Sequence, residues 1–186
     1  MLRSAASTTL NDPQTMHINQ YYHLAKRQEI SAKTLLLKAG EIAKYTYFLE
    51  KGCIRIWFNS NGKDITFDVL FDGEGVSSVE SFRTGHPSTF NIESLETCIV
   101  YKISRQDFLF MMQDSQAFKE KIEAETFKLL YKYQQLFLSR IKNNPEERYK
   151  ELLHNRPEIL QRVPHHYIAS YLGITPVSLS RIRARL

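Results

Sequence analysis

The sequence predicts an α+β chain: an antiparallel β-barrel or jelly roll, then one long helix, then a compact C-terminal helix-turn-helix. Three observations predict it. Between Ile30 and Ser104 apolar residues recur with period two in short runs punctuated by turn signals. From Ser115 to Asn143 the chain carries neither Gly nor Pro and the period becomes helical. Residues 165–184, HHYIASYLGITPVSLSRIRA, place small, apolar and capping residues at the spacings two closely crossing helices require.

Taken in order, residues 1–17, which open MLRSAASTTLNDPQT, are Ser/Thr-rich and aperiodic and read as a flexible lead-in, too thin in Arg for a targeting helix. A barrel is predicted over 18–113. KTLLLKAGE reads as a strand ending in a turn at Ala39-Gly40, and YTYFLEKGCIRIWF as two strands broken at Lys51-Gly52. In the second of these, Ile54, Ile56 and Phe58 alternate with Cys53, Arg55 and Trp57. Asn61-Gly62 is the strongest hairpin signal, because a tight turn of this kind needs positive φ at both central positions. TFNIESLE and TCIVYKIS close the region after a loop rich in Gly and Ser.

RQDFLFMMQD then predicts a short amphipathic helix. The long helix over 114–143 carries Phe118, Ile122, Leu129, Tyr133, Leu136 and Phe137 near a heptad rhythm, and that stripe predicts pairing with the same helix of a second subunit. Pro145 ends the run, EERYKELLHN and PEILQRV supply further helical pieces, and 144–186 forms the final domain.

Within that domain Ala169 stands where two helix backbones approach, and Gly173 supplies the turn. Ile168, Leu172, Ile174, Leu179 and Ile182 fill the wedge between the helices. Thr175 is an N-cap and Pro176 sits at the first helical position. At about 100° per residue, Leu179, Ile182 and Leu186 share the inward side of the second helix, whereas Val177, Ser180, Arg181 and Ala184 point outward. That outward face suits a DNA major groove: Arg181 for bidentate contact with a guanine, Val177 for a thymine methyl. Thr175, Ser178, Arg183 and Arg185 lie on the flanks, where phosphates would run.

Charge follows the same division. The chain has a net charge of +5; from Arg140 onward there are nine Lys/Arg against four Asp/Glu, so the remainder is neutral. No apolar run approaches the roughly 18 residues of a membrane span. Cys53 and Cys98, inside apolar strands, read as buried structural thiols and not as ligands or a disulfide framework. The strands contain no His-x-His pair, and no Ser-His-Asp order, phosphate-cradling Gly-rich loop or His-Glu-x-x-His helix is present. His165 and His166 are adjacent and diverge on a helix, so no metal site is predicted, nor an enzyme.

Barrel, long helix and C-terminal helix-turn-helix, in that order, resemble the cAMP receptor protein (Crp–Fnr) family of bacterial transcription regulators over roughly residues 18–186. LLLKAGEIAKYTYFLEKGCIRIWF is similar to that family's first barrel strands. PEERYKELL and YIASYLGITPVSLSRIRARL look like its Bacteroidetes branch. The resemblance implies a cytoplasmic homodimer that binds a near-palindromic double-stranded operator, with RNA polymerase as a partner. It places Thr175, Val177, Ser178 and Arg181 where members touch DNA, and His165 and His166 where a helix N-terminus meets phosphate.

Two departures stand out. Cyclic-nucleotide members hold the ribose with a Glu and the cyclic phosphate with an Arg; in DGEGVSSVESFRTGHPSTFNIES those positions align with Ser78 and Ser88. The cassette therefore reads as degenerate, and binding of cAMP is predicted against. A different small-molecule effector stays open, with Ser78, Glu80, Ser81, Arg83, Ser88 and Thr89 as its candidate pocket. Second, many members follow the recognition helix with a β-wing, and none is predicted here. The lead-in lacks the cysteine cluster of the iron–sulfur branch, and His86 reads as a solvated loop residue and not a haem ligand. The competing class is a cyclic-nucleotide-binding-like interaction module whose terminal helices dock protein and not DNA.

Overall fold

Asn61 and Gly62 both adopt positive φ, 52° and 79°, and the tight turn they make joins β4 (Ile54–Ser60) to β5 (Lys63–Leu70) as the sequence predicts. The computed structural model describes residues 20–185. The predicted lead-in and the inward position predicted for Leu186 lie outside the described residues. The remaining strands are β1 (Ala25–Ile30), β2 (Leu35–Leu37), β3 (Tyr45–Lys51), β6 (Gly75–Val76), β7 (Asn91–Ser94) and β8 (Cys98–Ser104). The helices are α1 (Val79–Thr84), α2 (Arg105–Asp114), α3 (Gln116–Lys142), α4 (Pro145–Asn155), α5 (Ile159–Arg162), α6 (His165–Leu172) and α7 (Pro176–Arg185). Antiparallel strands of a jelly roll are thus followed by helices.

The chain divides into two compact units, residues up to Ile54 with Leu70–Glu120, and Arg55–Val69 with Lys121–Leu186. In the first, β1, β8, β3 and β6 form one antiparallel sheet in that order, and β2 pairs with β7. The sequence missed β1: AKRQEI is charged and mostly exposed, as an edge strand can be when only one neighbour needs covering. It also read residues 79–84 as loop, where α1 forms. Leu49, Ile92, Val100 and Ile103 fill the interior at 2% exposure or less. Gly52, at φ +129°, could not carry a side chain, since a Cβ there would sit 2.4 Å from Cys98 Sγ. Cys53 and Cys98 are buried.

A correction concerns Phe118, predicted to face a second subunit. It is only 1% exposed and belongs to the first unit's own core, 5.5 Å edge-on from Phe108 and 6.4 Å from Tyr21. Tyr21 in turn donates its hydroxyl proton to Asp114 at 2.7 Å.

In the second unit α3 carries the rest of the stripe predicted as the subunit seam. There Ile122, Leu129, Tyr133 and Leu136 are half-buried in the single chain. Tyr133 donates to the fully buried Asp68 carboxylate at 3.1 Å, and Lys132 Nζ lies 2.8 Å from the same oxygen. Arg156, at the end of α4, approaches the other oxygen at 3.7 Å. A neighbouring stripe, roughly 100° round the helix, carries Phe127, Leu130, Ile141 and Phe137, the last already part of the predicted seam, each 64–71% exposed, at intervals of three and four residues once Gln134 is included. That is the knob spacing of a two-helix seam.

Alternation on β4 is also blurred. Arg55 is only 3% exposed although it falls on the strand's polar register. Its guanidinium lies between the Trp57 ring at 4.5 Å and the Tyr167 ring of α6 at 3.8 Å, so the cation is covered by aromatic faces.

Candidate nucleic-acid interface

Helices α6 and α7 are set by the residues the spacing singled out. Ile168 and Ala169 are fully buried, and Leu172, Leu179 and Ile182 are nearly so, at 3%, 1% and 8% exposure. Gly173 adopts φ 69°; its N–H donates to the Ser170 carbonyl and the Ile174 N–H reaches back to Ala169, each at 2.9 Å. These two bonds close α6 while the left-handed glycine redirects the chain. Thr175 then caps α7: its Oγ1 accepts from the Ser178 N–H at 3.1 Å, and Pro176 follows at the first helical position.

With Leu179 and Ile182 committed inward, the outward face of α7 is Val177, Ser180, Arg181 and Ala184, all exposed, Val177 to 60%. Ser180 donates to the Pro176 carbonyl at 3.1 Å, so its proton is held within the helix and its oxygen stays available as an acceptor. Arg181 makes no hydrogen bond or ion pair among the described residues. It projects between two short neighbours, the arrangement that lets one long cation reach a base edge. Arg185 is exposed at the end of the helix.

Two predicted contacts are more constrained. Arg183 donates to the ring of His165, the first residue of α6, so these two flank residues form one unit and not two independent phosphate contacts. His166 is exposed beside the Tyr167 ring, 3.9 Å between centroids.

The basic tail is only partly turned outward. Arg140 on α3 donates to the Tyr171 carbonyl, and Arg148 on α4 donates to Asn143 O at 2.7 Å and Leu172 O at 3.1 Å. Both guanidiniums thereby hold the last carbonyls of α6, where helix-end partial negative charge favours a cation. Burial, helped by repulsion from Arg148, keeps the Arg140 guanidinium below its ordinary pKa, against the pull of Tyr171. Sequence reasoning counted these charges toward phosphate neutralisation; the structure uses them to brace the helix-turn-helix. It also missed the tie at Ser170, whose Oγ accepts from Thr66 N–H at 2.9 Å and donates to Asp64 O at 3.2 Å, fastening β5 to α6. An arginine between Ile54 and Ile56 was the one sequence signal that this strand face is covered.

The candidate effector residues separate into two groups. Ser78, Ser81 and Ser88 are buried, at 2%, 1% and 4% exposure, whereas Glu80, Arg83 and Thr89 are exposed. Two of the buried hydroxyls serve the scaffold. Ser81 Oγ accepts from the Ala43 N–H at 2.9 Å, and Ser88 Oγ donates to Phe90 O at 2.9 Å. Ser88 also exchanges backbone bonds with Gly40 and Glu41, pinning the cassette to the β2–β3 loop. Arg105, another residue the sequence did not single out, donates to Phe82 O at 2.6 Å and Arg83 O at 2.9 Å and so caps the end of α1. Among the described residues no group of three His, Cys, Asp or Glu is placed to hold a metal ion.

A jelly roll followed by a helix-turn-helix is found in other solved proteins. Residues 27–115 match the family model of the cyclic nucleotide-binding domain, just under half of the chain. Solved structures with the same fold include the c-di-GMP-responsive global regulator CLP of Xanthomonas campestris. It has 16% identity and a TM-score of 0.76, with 92% of this chain and 90% of that one covered. FixK2 of Bradyrhizobium japonicum shares 18% identity at a TM-score of 0.73, covering 87% and 84%. A protein assigned to the Crp/Fnr transcriptional regulators, from Eubacterium rectale, shares 17% at 0.70, covering 95% and 83%. No curated protein matches the sequence. Residues 27–115 are thus similar to the cyclic nucleotide-binding domain, and the chain has the fold of these solved structures.

Proposed function

We propose that this protein is a homodimeric, sequence-specific DNA-binding transcription regulator that does not respond to cAMP. The observation that carries the reading is the outward face of α7, where Arg181 stands unpaired among Val177, Ser180 and Ala184 while the inward face is fully committed to packing. Arg185 and the His165–Arg183 pair border that face as the phosphate contacts. Among the proteins that share the fold, the one from Eubacterium rectale is described as a transcriptional regulator of the Crp/Fnr family, and no helix among the described residues is long and apolar enough to cross a membrane. The reading takes the protein to be a cytoplasmic regulator and not an enzyme, with RNA polymerase as its partner.

Dimerisation is supported by the Phe127, Leu130, Phe137 and Ile141 stripe, an apolar surface that a lone chain would leave in water. Two copies joined there bring their α7 helices to adjacent major grooves, one DNA turn or about 34 Å apart. The absence of a cAMP response is supported at Ser88. Where the resemblance puts a phosphate-binding guanidinium, this chain has a buried hydroxyl that donates to Phe90 O. Loss of a bidentate, charge-assisted pair costs about 2–5 kcal/mol.

The experiment is selection of duplexes from a random pool, with and without millimolar cAMP. The reading predicts an enriched near-palindrome with half-sites one turn apart, unchanged by the nucleotide. Enrichment of no sequence would remove DNA reading in favour of a protein-docking module, and enrichment only with cAMP would remove the ligand-independent part.

A further inference from the structure

Behind the helix-turn-helix, within the second unit, lies an open cavity of about 560 Å³ bordered by α3, α4 and the end of α6. Its size falls in the range of small-molecule sites. Five cations line it, Lys132, Arg140, Lys142, Arg148 and Arg156, against one carboxylate, Glu151. Asp68 already engages Lys132 at 2.8 Å and Arg156 at 3.7 Å. Glu151 accepts hydrogen bonds from the neutral Ser139 and Asn143 side chains. That leaves Arg140 and Arg148 opposed only by backbone carbonyls, with no ion pair among the described residues.

Arg148 also has a second unmet demand. Its Nε is buried and lacks a hydrogen-bond partner among the described residues, although the two terminal nitrogens of the same guanidinium are satisfied by Asn143 O and Leu172 O. A buried unpaired N–H of a charged group is costly, and in a native site it calls for a partner. Arg140 and Arg148 lie near enough to repel one another. A single anion in the cleft would offset that repulsion. Leucine and tyrosine side chains share the rest of the wall with Gln135, Ser139, Asn143 and Asn155, and suit an apolar portion of the same molecule.

We propose that this cleft binds a small organic anion through a carboxylate or phosphate group held by Arg148 and Arg140, with Lys142 at the mouth. The barrel's cassette is therefore not the chain's sole place for an effector. The same two arginines hold the Tyr171 and Leu172 carbonyls, so an occupant bears directly on the turn that sets α7. This consequence for DNA affinity rests on the DNA-binding reading above; the binding itself does not.

The test is calorimetric titration of the full chain with pyrophosphate and with citrate at fixed ionic strength in chloride. Wild type is compared with Lys142→Glu, Arg148→Gln and, as a control at an exposed cation outside the cleft, Lys119→Glu. The proposal expects saturable binding of one probe per chain, weakened about tenfold or more by Lys142→Glu, abolished by Arg148→Gln and kept by Lys119→Glu. Arg148→Gln also disturbs the turn, so Lys142→Glu, checked for unchanged melting, decides the matter. The proposal is overturned by the absence of saturable binding to either probe, by equal binding in Lys142→Glu, or by stoichiometric displacement of the probe by DNA, which would make the cleft part of a phosphate track. DNA retention measured on the same samples separates failure here from failure of the DNA-binding reading.

Discussion

Helices α7 and α3 are both amphipathic, yet they present opposite kinds of surface. On α7 the apolar side, Leu179 and Ile182, is covered by α6 of the same chain, and the exposed side is short and cationic. On α3 two neighbouring stripes are apolar: Tyr133 and Leu136 are half-buried within the chain, while Phe127, Leu130, Phe137 and Ile141 remain exposed. A helix whose covered face is complete reveals a binding face by what remains. A helix with two apolar stripes cannot be oriented from periodicity alone, because both stripes satisfy the same rhythm.

The largest effect that would break this comparison is charge placed in the α3 seam. Leu130→Glu with Phe137→Glu should convert the proposed dimer to a monomer by light scattering and lower affinity for a two-fold duplex by about two orders of magnitude, the gain that linking two half-sites supplies. Because both positions are exposed in the single chain, the melting of the isolated protomer should barely change. A variant that remains dimeric would show that the stripe is not the seam.

Next in size is the covered side of α7. Leu179→Ala removes a fully packed side chain and should cost about 2–5 kcal/mol in denaturant unfolding of this region. A smaller effect is expected at its cap: Thr175→Ala leaves the Ser178 N–H without its 3.1 Å acceptor and should cost about 1 kcal/mol. If Thr175→Ala proved more damaging than Leu179→Ala, the account of α7 as a helix held mainly by its inward face would be wrong.

Legibility in the sequence followed the same physics. Gly173, Thr175, Pro176 and Ala169 each answer a local requirement, so the helix-turn-helix could be read residue by residue. The Asn61-Gly62 hairpin was legible for the same reason. What could not be read depended on distant partners. The charges of Arg140 and Arg148 are drawn inward by carbonyls in α6, more than twenty residues away. Arg55 is buried because Tyr167 covers it. Ser81 and Ser88, candidate effector contacts, hold backbone groups across the β2–β3 loop or within their own turn. Charge counts and stripes describe what a segment carries, not which neighbour claims it.

The most direct test of the central claim is the affinity of wild type and Arg181→Ala for a selected duplex and for its point variants, at several salt concentrations. The account predicts that the variant loses about 1–3 kcal/mol of discrimination at one base pair while its salt slope stays close to that of wild type, because Arg181 reads an edge and not a phosphate. Equal discrimination by the two proteins at every position would contradict it.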